Sequence, residues 1–261
     1  MEFANDVVML TGAGGRLGRP CALAFAAEGA RLLLTDSAAS TLEETARLAR
    51  ARGATVVAVP GDVTRRADIE AALAEGRRQL GPVDVLVNFA GYVPVSSVLE
   101  VGEEEWDRVF AVNVKGTMLC CQAVGREMVA RGAAGRIVNI SSGASTSARA
   151  GAAHYCGSKA AINMFTEVLA TELGPHGIRV NAVAPGLTET PMAQRAAGDP
   201  AIRAYAARKQ PLAGELMDPD EVAQAAVYFL SDESRAVTGQ LLKVDGGWSI
   251  ASVSPEPTGA G

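Results

Sequence analysis

The chain has 261 residues, 48% of them hydrophobic and 20% charged, with a formal charge of -5; this is the balance of a globular protein with a sizeable core and excludes disordered and fibrous classes. The acidic balance leaves no basic field for a phosphate backbone, so no nucleic-acid partner is expected. No apolar run reaches the roughly 18 residues of a spanning helix, and Met1 to Asp6 carry neither the basic nor the apolar part of a signal peptide, so no membrane partner and a cytoplasmic location are expected.

Along the chain, short apolar runs alternate with longer segments of helical period. Strands are expected at Val7–Leu10, Arg31–Thr35, Thr55–Val59, Val83–Val87, Arg136–Ile140, Ile178–Val183 and Leu241–Val244. Helices are expected at 17–28, 39–52, 66–80, 103–131, 155–173, 191–209 and 219–230. Such alternation builds βαβ units, and near-continuous apolar strands fit burial on both faces. The predicted fold is α/β: a doubly wound sandwich around a seven-stranded parallel sheet with helices on both faces, as one domain over 1–251. Residues 187–217 are too long for an ordinary connection and read as a substrate lid. The Ser-, Pro- and Gly-rich stretch 252–261 reads as a disordered tail.

Glu103, Glu104 and Glu105 read as a solvated first helical turn, favourably placed at the positive end of the helix dipole. Cys21, Cys120, Cys121 and Cys156 show no metal-ligand spacing and read as reduced, packed thiols, so no metal is expected.

Thr11 to Gly18 runs from the first strand into the first helix, with Gly12, Gly14, Gly15 and Gly18 around Arg16 and Leu17. A glycine-rich strand-to-helix turn lets backbone N–H groups and the helix N-terminus face a pyrophosphate, the Rossmann-type arrangement. Asp36 ends the second strand, 18 residues beyond Gly18. A carboxylate there accepts hydrogen bonds from ribose hydroxyls and repels a 2′-phosphate, and Ser37 adds no cation, so NAD(H) is the expected cofactor. Tyr155 and Lys159 stand at i and i+4 at a helix start and share one face. A cation beside a tyrosine stabilises the phenolate and makes it a proton donor and acceptor. Ser141 and Ser142 close the fifth strand just upstream.

In these motifs and their order the sequence resembles the short-chain dehydrogenase/reductase family, in its single-domain branch, from Val7 to Trp248. The matching elements are Thr11-Gly12, Asp62-Val63, Asn88-Phe89-Ala90-Gly91, Asn113, Ser142, Tyr155 with Lys159, Asn181 to Gly186, and Val244 to Gly247. The resemblance implies a catalytic set. Ser142, at the separation from Tyr155 usual in that branch, would hold the substrate oxygen, and Tyr155 would exchange its proton. Lys159 would bind the nicotinamide ribose and depress the Tyr155 pKa, and Asn113 would hold a water that relays protons to Lys159. It also implies that Asp62 and Val63 contact adenine, that Asn88, Ala90 and Gly91 line the cofactor, and that Pro185, Gly186, Thr188 and Thr190 orient its carboxamide. Arg16 departs from the branch, which places a glycine there; it either reaches a phosphate or points to solvent.

His154 and His176 read as structural or rim residues. The helix Ala160 to Leu173 and the last strand with Trp248 resemble surfaces through which relatives form dimers and tetramers, so a homo-oligomer is expected. The segments Gly143 to Ala153 and Leu187 to Met192 offer apolar and small polar groups with Arg149 as their sole cation; they predict a neutral small-molecule alcohol or ketone. Arg195, Arg203, Arg208 and Lys209 read as a solvated lid face. The expected activity is interconversion of a secondary alcohol and a ketone. The competing readings are an NADPH-dependent 3-oxoacyl reductase acting on carrier protein or CoA thioesters, and a catalytically idle nucleotide sensor.

Overall fold

Val7–Thr11 forms β1, whose five side chains are all buried. Its odd and even residues serve opposite layers, because side chains alternate along a strand. The molecule is a computed structural model that describes residues 3–189, 199–213 and 216–251. After β1 come α1 (Gly18–Ala27), β2 (Arg31–Asp36), α2 (Ala39–Ala51), β3 (Val56–Pro60), α3 (Arg66–Leu80) and β4 (Val85–Asn88). The second half holds α4 (Glu103–Phe110), a π-helical turn (Ala111–Gly116), α5 (Thr117–Arg131), β5 (Gly135–Ile140) and α6 (Ala153–Leu173). It ends with β6 (Ile178–Pro185), α7 (Pro200–Lys209), α8 (Pro219–Leu230) and β7 (Leu241–Val244).

The seven strands form one parallel sheet in the order β3-β2-β1-β4-β5-β6-β7. The chain winds outward through β2 and β3, then returns to the other side of β1 with β4. That reversal opens a crevice at the carboxyl ends of β1 and β4, where ligands of such sheets bind. Register places Thr11 opposite Asn88 and Asn88 opposite Asn139, so the ends that carry the motifs are level.

Two apolar cores flank the sheet. On one face Val8, Leu10, Leu32 and Leu34 meet Phe25 of α1, Leu42 and Ala46 of α2, and Val222 and Phe229 of α8. On the other, Val7, Met9, Leu33 and Leu86 meet Ile69 and Leu73 of α3 and Val124 and Met128 of α5. Arg136 and Arg179 reach from β5 and β6 to the carboxyl end of α8. Arg179 Nη1 donates to the Phe229 carbonyl at 2.7 Å and Arg136 Nη1 to the Leu230 carbonyl at 3.0 Å, satisfying carbonyls that the helix leaves open.

The expected α/β architecture and all seven strands are present, with ends shifted by one or two residues. The expected continuous helix over 103–131 is interrupted by the π-helical turn, where the Thr117 hydroxyl donates to the Asn113 carbonyl at 2.8 Å. α6 begins at Ala153, two residues earlier than expected. Of the expected helix 191–209, α7 covers Pro200–Lys209, capped by the Asp199 side chain on the Ala201 N–H. Thr190, Met192, Arg195 and the 252–261 tail lie outside the described residues. Among the described residues no helix is long and apolar enough to cross a membrane, and no cluster of His, Cys, Asp or Glu could hold a metal.

Candidate active site

A cleft of about 590 Å³ runs along the carboxyl ends of β1 to β4, lined by Gly12, Gly14, Gly15, Asp36, Asp62, Val63, Ala90 and Gly91. These are eight of the residues expected around a dinucleotide, and Ser37, Ala38, Thr41, Thr64, Phe89, Arg108, Ala111 and Val112 join them. Gly12 has φ +63, and a Cβ there would lie 2.6 Å from the Ala90 nitrogen, so the turn can approach β4 only as glycine. Gly18 is packed just as closely: a Cβ would strike the Gly12 carbonyl, 2.2 Å away. Arg16 is exposed, and no non-glycine residue among those described has a positive φ. The turn therefore accommodates an arginine where the branch places glycine.

The Asp36 carboxylate accepts from the Gly14 N–H at 3.0 Å and from the Ala38 N–H at 2.9 Å. Two backbone donors hold it at the cleft wall with lone pairs to spare. Asp62 accepts from the Thr64 N–H at 2.8 Å and shapes the next turn. Backbone-rich glycine, a fixed carboxylate and the apolar walls Val63, Ala111 and Val112 fit a dinucleotide: amides for phosphate, an acceptor for vicinal hydroxyls, flat surfaces for a base. Asn88 is placed differently from the expected lining role. Its side chain is buried and donates to Asn139 Oδ1 at 2.9 Å and to the Cys121 sulfur at 3.3 Å, away from the cleft.

Ser141 and Ser142 follow directly on the end of β5, and neighbouring residues of an extended segment face opposite ways. Ser141 is buried and hydrogen-bonds the Asn163 side chain and the Lys159 carbonyl, a structural tie to α6. Ser142 turns toward Tyr155. Burial pushes the Tyr155 phenol above its ordinary range, opposed by its hydrogen bond to Ser142 and by the positive charge of Arg149. Lys159 lies one helical turn on, with Nζ 5.8 Å from the centre of the Tyr155 ring and donating to the Ile140 carbonyl at 2.7 Å. The net shift is therefore upward, where depression was expected, because burial outweighs the influences that oppose it. Asn113 clamps the segment that follows β4: its Oδ1 accepts from the Tyr92 N–H at 2.7 Å, and its Nδ2 donates to the Tyr92 carbonyl at 3.0 Å and to Ser158 Oγ at 2.9 Å. Gly91 sits in the gap, where a Cβ would lie 3.5 Å from Asn113 Oδ1 and 3.9 Å from Lys159 Nζ.

Burial pulls the Lys159 ammonium down to about 8, from 10.5. The unfolded chain binds more protons than the folded one between those values, so the cost of burying this lysine is full below pH 8 and fades as pH climbs toward 10.5. Lys159→Met is expected to be more stable than the unaltered chain near neutral pH by about 1–3 kcal/mol, with the gap closing toward about pH 10. Urea unfolding of both proteins at the two pH values measures it, and a gap that does not change with pH contradicts a charged Lys159 in the fold.

Other residues settle into supporting positions. The acidic run of α4 is not uniformly solvated, because Glu105 accepts from Ser96 and lies 3.2 Å from His154 Nε2. His154 is buried under this contact and stacks on Trp106 with ring centres 6.4 Å apart, a structural role as expected. Gly186 donates its N–H to the Val244 carbonyl at 2.8 Å, and Thr188 pairs with Met217 in a parallel bridge. Gln210, fully buried, holds both backbone groups of Leu187. Lys209 is not simply solvated: it donates to the Ala251 carbonyl at 2.8 Å and lies over the Trp248 ring. Gln210 carried no motif, and only its place beside the Pro185-Gly186 turn marks it.

Comparison with known proteins follows the same lines. The family model described as Enoyl-(Acyl carrier protein) reductase matches residues 12–249. The short-chain reductase protein NovJ of Streptomyces niveus is 40% identical over 247 residues, covering 93% of this chain and 94% of that protein. Galactitol 2-dehydrogenase (L-tagatose-forming) of Cereibacter sphaeroides is 40% identical over 244 residues, covering 92% and 94%. The crystal structure of an NAD+-bound xylitol dehydrogenase superposes with a TM-score of 0.90 at 30% identity, covering 95% of this chain and 100% of that one.

Proposed function

The chain belongs to the short-chain dehydrogenase/reductase family, and from that premise we propose that it is an NAD(H)-dependent oxidoreductase interconverting a secondary alcohol and a ketone. The observation that carries this reading is the Tyr155 phenol close enough to Ser142 to feel its hydroxyl, with Lys159 Nζ buried 5.8 Å from the Tyr155 ring, beside the cleft that holds Asp36. A bound nicotinamide cofactor supplies or accepts the hydride. Ser142 orients the substrate oxygen by hydrogen bonding, and Tyr155 gives or takes the proton at that oxygen. Lys159, protonated near neutral pH, supplies positive charge beside the phenol and a donor toward the cofactor ribose. Asn113 fixes Tyr92 and Ser158 and so ties the segment that follows β4 to the start of α6. Asp36 accepts the adenosine ribose hydroxyls, Asp62 and Val63 receive adenine, and Pro185, Gly186 and Thr188 flank the carboxamide. Thr190, assigned to the same segment, lies outside the described residues.

Free polyols and ketones without a carrier are the substrates this reading favours, in keeping with a relative that acts on galactitol and a structural neighbour that is a xylitol dehydrogenase. A cytoplasmic homo-oligomer, dimer or tetramer, belongs to the same reading, since α6 exposes Met164 and Val168 and β7 exposes Leu242. The test is nicotinamide absorbance with the purified chain, NAD+ or NADP+, and a panel of secondary alcohols, and with the reduced cofactors and the matching ketones. Turnover of free substrates with NAD(H) is expected. Activity confined to NADPH and 3-oxoacyl thioesters replaces the substrate assignment with an acyl reductase, and dinucleotide binding without turnover anywhere makes the protein a sensor.

A further inference from the structure

The cleft described above carries two carboxylates, Asp36 and Asp62, and among its described lining residues the only cationic side chain is Arg108. Arg108 stands in the last turn of α4 with its guanidinium carbon 4.6 Å from the centre of the Tyr92 ring. Tyr92 is itself held by both of its backbone groups to the Asn113 side chain. Arg108 is an exposed side chain whose guanidinium lies over the ring, and a guanidinium has the planar fork of donors that suits bidentate recognition of a phosphate. No carboxylate among the described residues pairs with it. Glu105, one turn earlier, is committed to Ser96 and His154, and the ion pairs among the described residues do not include Arg108.

Arg108 is thus a cation with no carboxylate partner among the described residues, on the wall of a cleft whose other charged lining residues are acidic. We propose that Arg108, over the Tyr92 ring, is a cofactor-positioning residue that binds the anionic diphosphate of the dinucleotide in the cleft it shares with the glycine turn. This inference rests on the dinucleotide reading of the cleft. Its physical basis is charge balance: two phosphates entering beside two carboxylates need a local cation, and the stack on Tyr92 fixes the side chain before the ligand arrives. It also ties cofactor contact to the active site, because the residue that braces Arg108 is the one Asn113 clamps.

The experiment is equilibrium binding by calorimetry or nicotinamide fluorescence, with NADH, ADP-ribose and adenosine as probes, for the unaltered protein, Arg108→Gln and Arg108→Lys. Arg108→Gln is expected to weaken NADH and ADP-ribose by about tenfold, the size of a lost charge-assisted hydrogen bond, and to leave adenosine, which has no phosphate, unchanged. The dependence of NADH affinity on salt becomes shallower in the same variant, which a packing defect does not produce. Arg108→Lys keeps the charge but not the plane and recovers part of the loss. Equal weakening of adenosine and NADH, or a salt dependence that does not change, overturns the assignment in favour of packing. If the unaltered protein binds neither NADH nor NADPH, the dinucleotide reading itself fails; if it binds NADH and Arg108→Gln binds it as tightly, that reading stands and the role of Arg108 falls.

Discussion

Tyr155→Phe is expected to bind NADH like the unaltered chain and to turn substrate over about 10²-fold or more slowly, the range ordinarily lost with a positioned proton donor. The substitution keeps the ring and its 5.8 Å relation to Lys159, and removes the hydroxyl to which the proposed mechanism assigns the proton transfer. No other group can replace it. His154 is adjacent in sequence, but its Nε2 lies against Glu105 beneath the Trp106 ring, so it is directed into the contact between α4 and α6. Ser141 is committed to Asn163 and the Lys159 carbonyl. Steady-state kinetics alongside cofactor binding separates the effects: a fall in kcat with an unchanged dissociation constant is the expected pattern, and retained turnover removes Tyr155 from the mechanism.

Replacing Asp36 by Ala together with Ser37 by Arg is expected to move the ratio of NADPH to NADH affinity by about 10²-fold toward NADPH, by removing a repulsive charge and adding a phosphate partner. In the unaltered chain the Gly14 and Ala38 N–H groups hold the carboxylate at the wall, so a 2′-phosphate entering there meets a fixed negative charge. Asp36→Asn is the control, since it keeps an acceptor oxygen and drops the charge; a smaller shift in the same direction is expected. Binding titrations with both cofactors measure all three proteins. Should the unaltered chain bind NADPH as tightly as NADH, the inference from Asp36 is wrong and the thioester-reductase reading gains ground.

Much of the candidate site was legible because its signals are local. The alternation of apolar runs, the Gly12 to Gly18 turn and the Tyr155–Lys159 pair each depend on periods of two to seven residues, which the backbone imposes wherever the segment lies. The choice of Ser142 over Ser141 is consistent with strand alternation, which sends Ser141 into α6 and leaves Ser142 facing Tyr155. The interruption of the expected long helix at Asn113 was not legible, because the helical pattern of apolar residues continues through it. A π-helical turn adds a residue without changing composition.

The sequence by itself determined the order and type of the elements, the glycine turn at the head of the sheet, the acidic end of β2 and the shared face of Tyr155 and Lys159, all through short-range stereochemistry. Only the tertiary structure decided which way the remaining polar groups turn. Asn88 meets Asn139 from 51 residues away and Arg136 meets Leu230 from 94, and likewise Glu105 meets His154, Gln210 holds Leu187, and Arg108 stacks on Tyr92. Such partners are chosen by strand order, register and the packing of helices on two faces, and a buried polar group takes whichever partner that geometry brings within reach because leaving it unpaired costs about 1–3 kcal/mol. Separation along the chain carries no record of that choice.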